Sequence, residues 1–235
     1  MNSHRVEVAV FAIAFTVFGL VALALAWSGD WAYAALADLN GVAQTSFLLG
    51  TALDPRRVET PLDLAMVISW HHSWAAYVTG VSPIPPISWG PDPIFSNDEY
   101  LHMADVRGVF RGAEVAAAVA LFVAAYRVVR ARGRGEALWL VRAGALIAAA
   151  IVALIGVVAV FAFDPLFLLF HELFFPQGNF VFDPAMSNLL RLYPEWYWQG
   201  ITAGVGVSFI AVALVAAAAA HIALGWGSNT YTRAA

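Results

Sequence analysis

The stretch Ala143–Phe163, AGALIAAAIVALIGVVAVFAF, runs for 21 residues without a charge. A helix rises 1.5 Å per residue, so this length crosses a hydrocarbon core about 30 Å thick. Two further runs behave alike: Val8–Trp27 and Ile201–Ala220, each 20 residues and uncharged. A fourth span is predicted at roughly Val109–Val129. Its uncharged centre is Val115–Tyr126, and Arg111, Glu114 and Arg127 lie at its ends, where long side chains snorkel to the headgroups. Ala24-Leu25-Ala26 resembles a cleavage site. The apolar run before it exceeds the roughly 7–15 residues of a signal core, so it reads as a helix.

Composition agrees. Of 235 residues, 61% are hydrophobic and 12% charged, about half the charged fraction of a soluble domain. Mean hydropathy is +0.74. There is no Cys, which excludes disulfides, a thiolate nucleophile and a Cys-ligated metal. A net charge of −4 argues against a nucleic-acid partner. The expected fold is an all-α polytopic membrane protein, one membrane domain over 1–235. Its spans are placed at approximately 8–27, 109–129, 143–163 and 201–220. An extracytoplasmic cap of short amphipathic helices and loops is placed at 28–108 and 164–200, and a cytoplasmic loop at 130–142.

Arginine placement sets this orientation. Arg5, Arg127, Arg130, Arg132, Arg134, Arg142 and Arg233 fall on one side with only Glu7 and Glu136. The other side holds five Arg and fourteen acids. The first side, with both termini, is read as cytoplasmic. Trp27, Trp31, Trp196, Tyr197 and Trp198 stand where an outer aromatic belt belongs.

Residues 28–53 read as mixed, weakly structured surface. Pro then follows a capping residue in Asp54-Pro55, Thr60-Pro61, Asp164-Pro165 and Asp183-Pro184, each read as an N-cap and first helical residue. Short interfacial helices are predicted at about 61–79, 165–175 and 184–193. The stretch Ser82–Pro93, with Pro83, Pro85, Pro86, Pro91 and Pro93, reads as a stiff extended loop. Ser96 and Glu99 then form a capping box, with Phe95 and Tyr100 as a staple. The helix they start has no stop until about Arg130. Gly108 and Gly112 are expected to form a close-packing face on it.

Four of the six His lie on the outer side: His71, His72, His102 and His171. His102 precedes the second span by about two turns and His171 follows the third by eight residues, so both fall near one depth. Imidazole there suits acid–base work near neutral pH. Asp105, one turn after His102, is placed to fix its tautomer. Arg107 and Arg111 flank the site, as lipid-phosphate or carbonyl contacts or as interfacial anchors. His71 and His72 are adjacent and cannot both face one site. They read as structural, with an assisting role for one as the alternative. Taken alone, each His reads most simply as an interfacial polar residue.

No nucleophile elbow, P-loop or dinucleotide fingerprint is present. His171-Glu172-Leu173-Phe174-Phe175 lacks a zincin's second His, and no ligand spacing calls for a metal. Three readings stand on the residues: acid–base catalysis by His102 and His171, a non-catalytic membrane protein binding lipid or a partner, which the residues alone favour, and a metal-dependent hydrolase.

Two motifs add a resemblance. The first is Phe95-Ser96-Asn97-Asp98-Glu99-Tyr100-Leu101-His102-Met103-Ala104-Asp105-Val106-Arg107. The second is Leu169-Phe170-His171-Glu172-Leu173-Phe174-Phe175, then Asn179-Phe180-Val181-Phe182-Asp183-Pro184 and Tyr193-Pro194-Glu195-Trp196-Tyr197. Together they resemble the DUF1461 family of bacterial integral membrane proteins, which includes the lipoprotein intramolecular transacylases. The resemblance implies movement of an acyl chain from the diacylglyceryl group to the α-amino group of a lipoprotein's N-terminal Cys. It implies His102 and His171 as the catalytic pair; Glu99, Asp105 and Arg107 are expected to support them. No cofactor and no metal are expected. The implied partners are membrane lipids and diacylglyceryl-modified lipoproteins. Neither oligomeric state nor which imidazole is the base follows from the sequence.

Overall fold

A computed structural model describes residues 3–51, 54–86 and 94–232. Four helices are long and apolar enough to cross a membrane: α1 (Ser3–Trp27), α4 (Asn97–Arg132), α5 (Ala137–Phe161) and α8 (Glu195–Thr232). Between them stand α2 (Asp30–Leu39), a hairpin of β1 (Gln44–Thr51) and β2 (Asp54–Asp63), α3 (Leu64–Val78), α6 (Phe163–Phe174) and α7 (Asn188–Leu192). The chain forms two compact units.

The first unit comprises Met1–Ala24, Ala113–Phe161 and Ala203–Ala235. Its centre is built from small residues. Ala145, Ala148, Ala149, Ala213 and Ala217 pack with Val152 and the fully buried Phe209. In lipid no hydrophobic effect separates helix from tail, so close backbone approach and dispersion hold helices together. Gly144 shows how close: a Cβ there would sit 2.3 Å from the Phe11 ring. The outward faces carry Phe122, Leu154, Val160 and Val215, all exposed. Residues 133–136 alone link α4 to α5, so helix occupies much of the 130–142 stretch expected as loop.

The second unit comprises Leu25–Gly112 and Ala162–Thr202. Its core joins Trp74, Phe95, Phe47, Tyr33 and Leu192. Here the structure corrects several expectations. In the stretch read as weakly structured surface, Asp30–Leu39 form α2 and Gln44–Thr51 form β1. Pro61 does not start a helix but lies in β2, opposite Ser46. In a two-stranded sheet each strand has a free edge, so a residue without an N–H is tolerated there. The cap of α3 is Asp63, whose Oδ1 accepts from Met66 N at 2.8 Å. Asp164 lies inside the first turn of α6, after the cap position Ala162. After Pro184 the chain turns instead of coiling, with Asp183 Oδ1 accepting from Ala185 N at 2.9 Å. An Asx turn competes with helix, so α7 waits for Ser187, whose Oγ accepts from Leu190 N.

The capping box forms as read. Ser96 N donates to Glu99 Oε2 at 2.6 Å and Glu99 N to Ser96 Oγ at 3.2 Å. Phe95 and Tyr100 meet with ring centroids 6.1 Å apart. The Gly108/Gly112 expectation fails: a Cβ at either would meet nothing within 4 Å. Of the proline loop, Pro91 and Pro93 lie outside the described residues. Before them, Pro86 O accepts from Tyr100 Oη at 2.6 Å.

Candidate active site

The first turns of α4 and the last turns of α6 each deliver one imidazole. Both belong to the second unit. His102 and His171 lie nearly parallel, with ring planes 17° apart and centroids 6.0 Å apart. Aromatic rings surround them. Phe175 lies 4.7 Å from His102 and 5.5 Å from His171. Phe182 borders His102, and Phe167 and Phe180 border His171 at 4.3 and 5.1 Å. Such walls exclude water and strengthen electrostatic interactions inside.

The two rings are held differently. His171 Nδ1 donates to Phe167 O at 2.8 Å. A carbonyl only accepts, so this nitrogen carries the proton and Nε2 is the free atom. His102 is 6% exposed, and its Nδ1 has no hydrogen bond. It lies seven residues before Val109, where the sequence begins the membrane segment. Burial, first, and the neighbouring His171, second, push its pKa down to about 4. The Asn179 side chain and the Asp105 charge act the other way. His102 is therefore a neutral imidazole at ordinary pH.

Asp105 is close to His102 but takes other partners. Its Oδ2 accepts from Gln177 Nε2 and Asn179 Nδ2, both at 2.6 Å. The loop that brings these amides round is a turn at Phe175-Pro176-Gln177-Gly178, closed by Gly178 N donating to Phe175 O at 3.0 Å. Gly178 sits at φ +76°, where a Cβ would be strained. A direct contact from Asp105 to His102 is the simple expectation from their spacing; the carboxylate oxygen Oδ2 is instead taken by the Gln177 and Asn179 amides.

Glu99 is buried and spent on structure. Besides its capping bond, its Oε1 accepts from Ser187 Oγ at 2.6 Å and Leu189 N at 2.8 Å. One carboxylate thus starts α4 and anchors α7. Arg107 donates to Ser82 O at 2.8 Å and stacks over Tyr77 at 4.6 Å. Arg111 donates to Gly80 O at 3.4 Å. Both tie the end of α3 to α4. His71 is 1% exposed, in a nest of Tyr33, Tyr193 and Tyr197. Its Nε2 donates to Ser28 O at 3.2 Å, so its Nδ1 accepts from Tyr193 Oη at 3.3 Å. His72 is exposed and pairs with Asp30 at 2.9 Å.

Beside the pair, Phe182 also lines an open cavity of about 370 Å³ with Asp98, Asp183 and Met186. Among the described residues, the one cluster of three His or acid groups close enough for a metal is His4, Glu7 and Glu136. Its acids bind Arg134. His102, Asp105 and His171 do not form such a cluster. Sequence reasoning gave no role to Asn179, Gln177 or the phenylalanines. They were visible as an aromatic-rich motif around one His, but which faced inward was not.

Residues 87–198 match the family model described as lipoprotein intramolecular transacylase Lit. No curated protein matches the chain in sequence. Three solved structures of the membrane-integral lipoprotein intramolecular transacylase Lit from Bacillus cereus share the fold. One has a TM-score of 0.67 at 14% identity, covering 99% of this chain and 98% of that one. A histidine-to-arginine form scores 0.66 at 14% identity, covering 97% and 94%. A histidine-to-alanine form scores 0.65 at 15% identity, covering 96% and 95%.

Proposed function

With residues 87–198 matching the Lit family as premise, we propose that this chain is a lipoprotein intramolecular transacylase acting through His102 and His171. The observation that carries this reading is the pair itself: two imidazoles from separate elements, 6.0 Å apart in an aromatic enclosure. The reaction takes an acyl chain from a glycerol oxygen to the α-amino group of the N-terminal Cys. The amine nitrogen attacks the ester carbonyl carbon. An N–C bond forms, the C–O bond to glycerol breaks, and the nitrogen's proton ends on the glycerol oxygen.

One imidazole accepts a proton from the amine and the other supplies one to the departing oxygen. Both reacting groups belong to one substrate, so holding them together provides much of the rate. The aromatic walls suit an acyl chain and a glyceryl backbone. An amide is more stable than an ester, so no ATP or cofactor is required. Leu168, Leu169 and Leu173 of α6 are exposed, a face suited to lipid. The arginine distribution supports cytoplasmic termini and an active face outside. Glu99 and Arg107 serve the site by fixing the elements that build it.

The test is expression in a bacterium whose lipoproteins are only diacylated, followed by mass spectrometry of their N-termini. Wild type should produce the N-acyl, lyso form, and H102A and H171A should not. Unchanged diacyl termini beside well-inserted wild type would overturn the assignment.

A further inference from the structure

Two buried polar atoms beside the histidine pair have no hydrogen bond: His102 Nδ1 and Asn179 Oδ1. Asn179 is anchored on Asp105, one helical turn from His102, and its side chain is near enough to act on the imidazole. We propose that Asn179, oriented by Asp105, is a positioning residue that holds His102 in its Nδ1–H tautomer. The Nε2 lone pair of His102 is then the proton acceptor of the reaction, and His171 the donor. The chemical roles rest on the transacylase reading above; the tautomer does not.

The orientation follows from what each group can do. A carboxylate only accepts hydrogen bonds. Asp105 Oδ2 receives the Asn179 amide nitrogen at 2.6 Å, so the amide oxygen is turned away from it. Gln177 approaches the same oxygen at 2.6 Å, which keeps the acid committed. The Asn179 oxygen thus needs a donor. A buried polar group left without a partner is costly. A proton on His102 Nδ1 meets both needs. The other tautomer would set two lone pairs face to face. A neutral imidazole has one N–H, so a protonated Nδ1 leaves Nε2 bare.

His171 is held by a different rule. Its Nδ1–H is taken by the Phe167 carbonyl, so Nε2 gains or loses the proton. With His102 as the acceptor, the donor role falls to His171, whose Nε2 is the atom free to deliver a proton. In the step, His102 Nε2 takes a proton from the amine as the N–C bond forms. The imidazolium so made is opposite Asn179 Oδ1, with the Asp105 charge beyond it, the third-group logic of a catalytic triad. Protonated His171 gives its Nε2 proton to the glycerol oxygen as the C–O bond breaks. One proton is taken and one given. Return of a proton from His102 to His171 resets the pair.

Full-length protein labelled with 15N-histidine, in nanodiscs near neutral pH, tests this. The His102 ring signals are assigned by their loss in H102Q. Wild type should show Nδ1 protonated and Nε2 bare. N179A should give mixed tautomers. D105N should move the balance toward Nε2–H, because an amide there lets Asn179 turn over. Q177A should keep the wild-type tautomer. In the lipoprotein assay, N179A should lower kcat at least about tenfold with KM little changed, and move the acid limb of the pH profile. A wild-type His102 carrying Nε2–H overturns the proposal. So does a folded N179A with unchanged tautomer and pH profile. D105N carries the same test if N179A does not fold. The tautomer is read without substrate, so a bare Nε2 in an inactive wild type would sink the transacylase reading alone.

Discussion

The side chain of Asn188 binds the backbone of Leu48 as a neighbouring strand would. Leu48 N donates to its Oδ1 at 2.7 Å, and its Nδ2 donates to Leu48 O at 3.0 Å. The same Nδ2 reaches Ile94 O at 2.7 Å. One buried amide therefore ties the hairpin and the segment before α4 to α7. N188A should cost about 2–4 kcal/mol, since it leaves several buried backbone groups unmet. N188D should cost more, because a carboxylate would face two carbonyls. Unfolding in detergent, followed by circular dichroism, measures both.

Protonation of His102 should weaken the fold. An ordinary imidazole titrates at 6.5 and the folded His102 at about 4. Above pH 6.5 both folded and unfolded chains hold it neutral, and its contribution is complete. Below that the unfolded chain binds a proton that the folded chain refuses. Stability falls as pH drops toward 4, by roughly 3 kcal/mol at the limit. H102F should show a shallower pH slope than wild type between pH 7.5 and 4.5. Identical slopes would show that this imidazole is not held neutral.

The adjacent His71 and His72 should separate sharply. His71 is buried with both ring nitrogens bonded, and burial lowers its pKa. H71A opens a cavity and orphans the Tyr193 hydroxyl, a loss of about 2–4 kcal/mol. His72 pairs with Asp30 at an exposed site. H72A should change stability by less than about 0.5 kcal/mol. Melting temperatures of the two variants decide it.

Close packing in the first unit makes another contrast. G144A forces a methyl into the Phe11 ring and should cost about 1–3 kcal/mol. G156A, on the same helix, meets nothing within 4 Å and gains helix propensity, so it should be neutral or slightly stabilising. Pairing G144A with F11L should recover part of the loss. Equal effects of the two glycine substitutions would contradict the packing described.

Much of the fold was legible because its signals are local or lipid-driven. Four apolar runs identify four membrane-length helices. Ser96 and Glu99, three residues apart, announce the start of α4. The hairpin was not legible. Leu48 and Phe47 are held by Asn188 and by the aromatic core, across some 140 residues. Pro61 looked like a helix start because nothing nearby shows the strand beside it. Asp183-Pro184 misled for a related reason: an Asx turn and an N-cap use the same residues.

The sequence by itself determined that this chain is solvated by lipid, how many times it can cross, and that His102 and His171 fall near one depth. Those properties follow from counting residues against a fixed bilayer thickness and a fixed helical rise. Only tertiary structure decided that the two rings lie 6.0 Å apart and nearly parallel, that phenylalanines border them, and that Asn179 bonds Asp105 one turn from His102. Those relations depend on where α6 and its following turn return against α4, and no local spacing encodes that return.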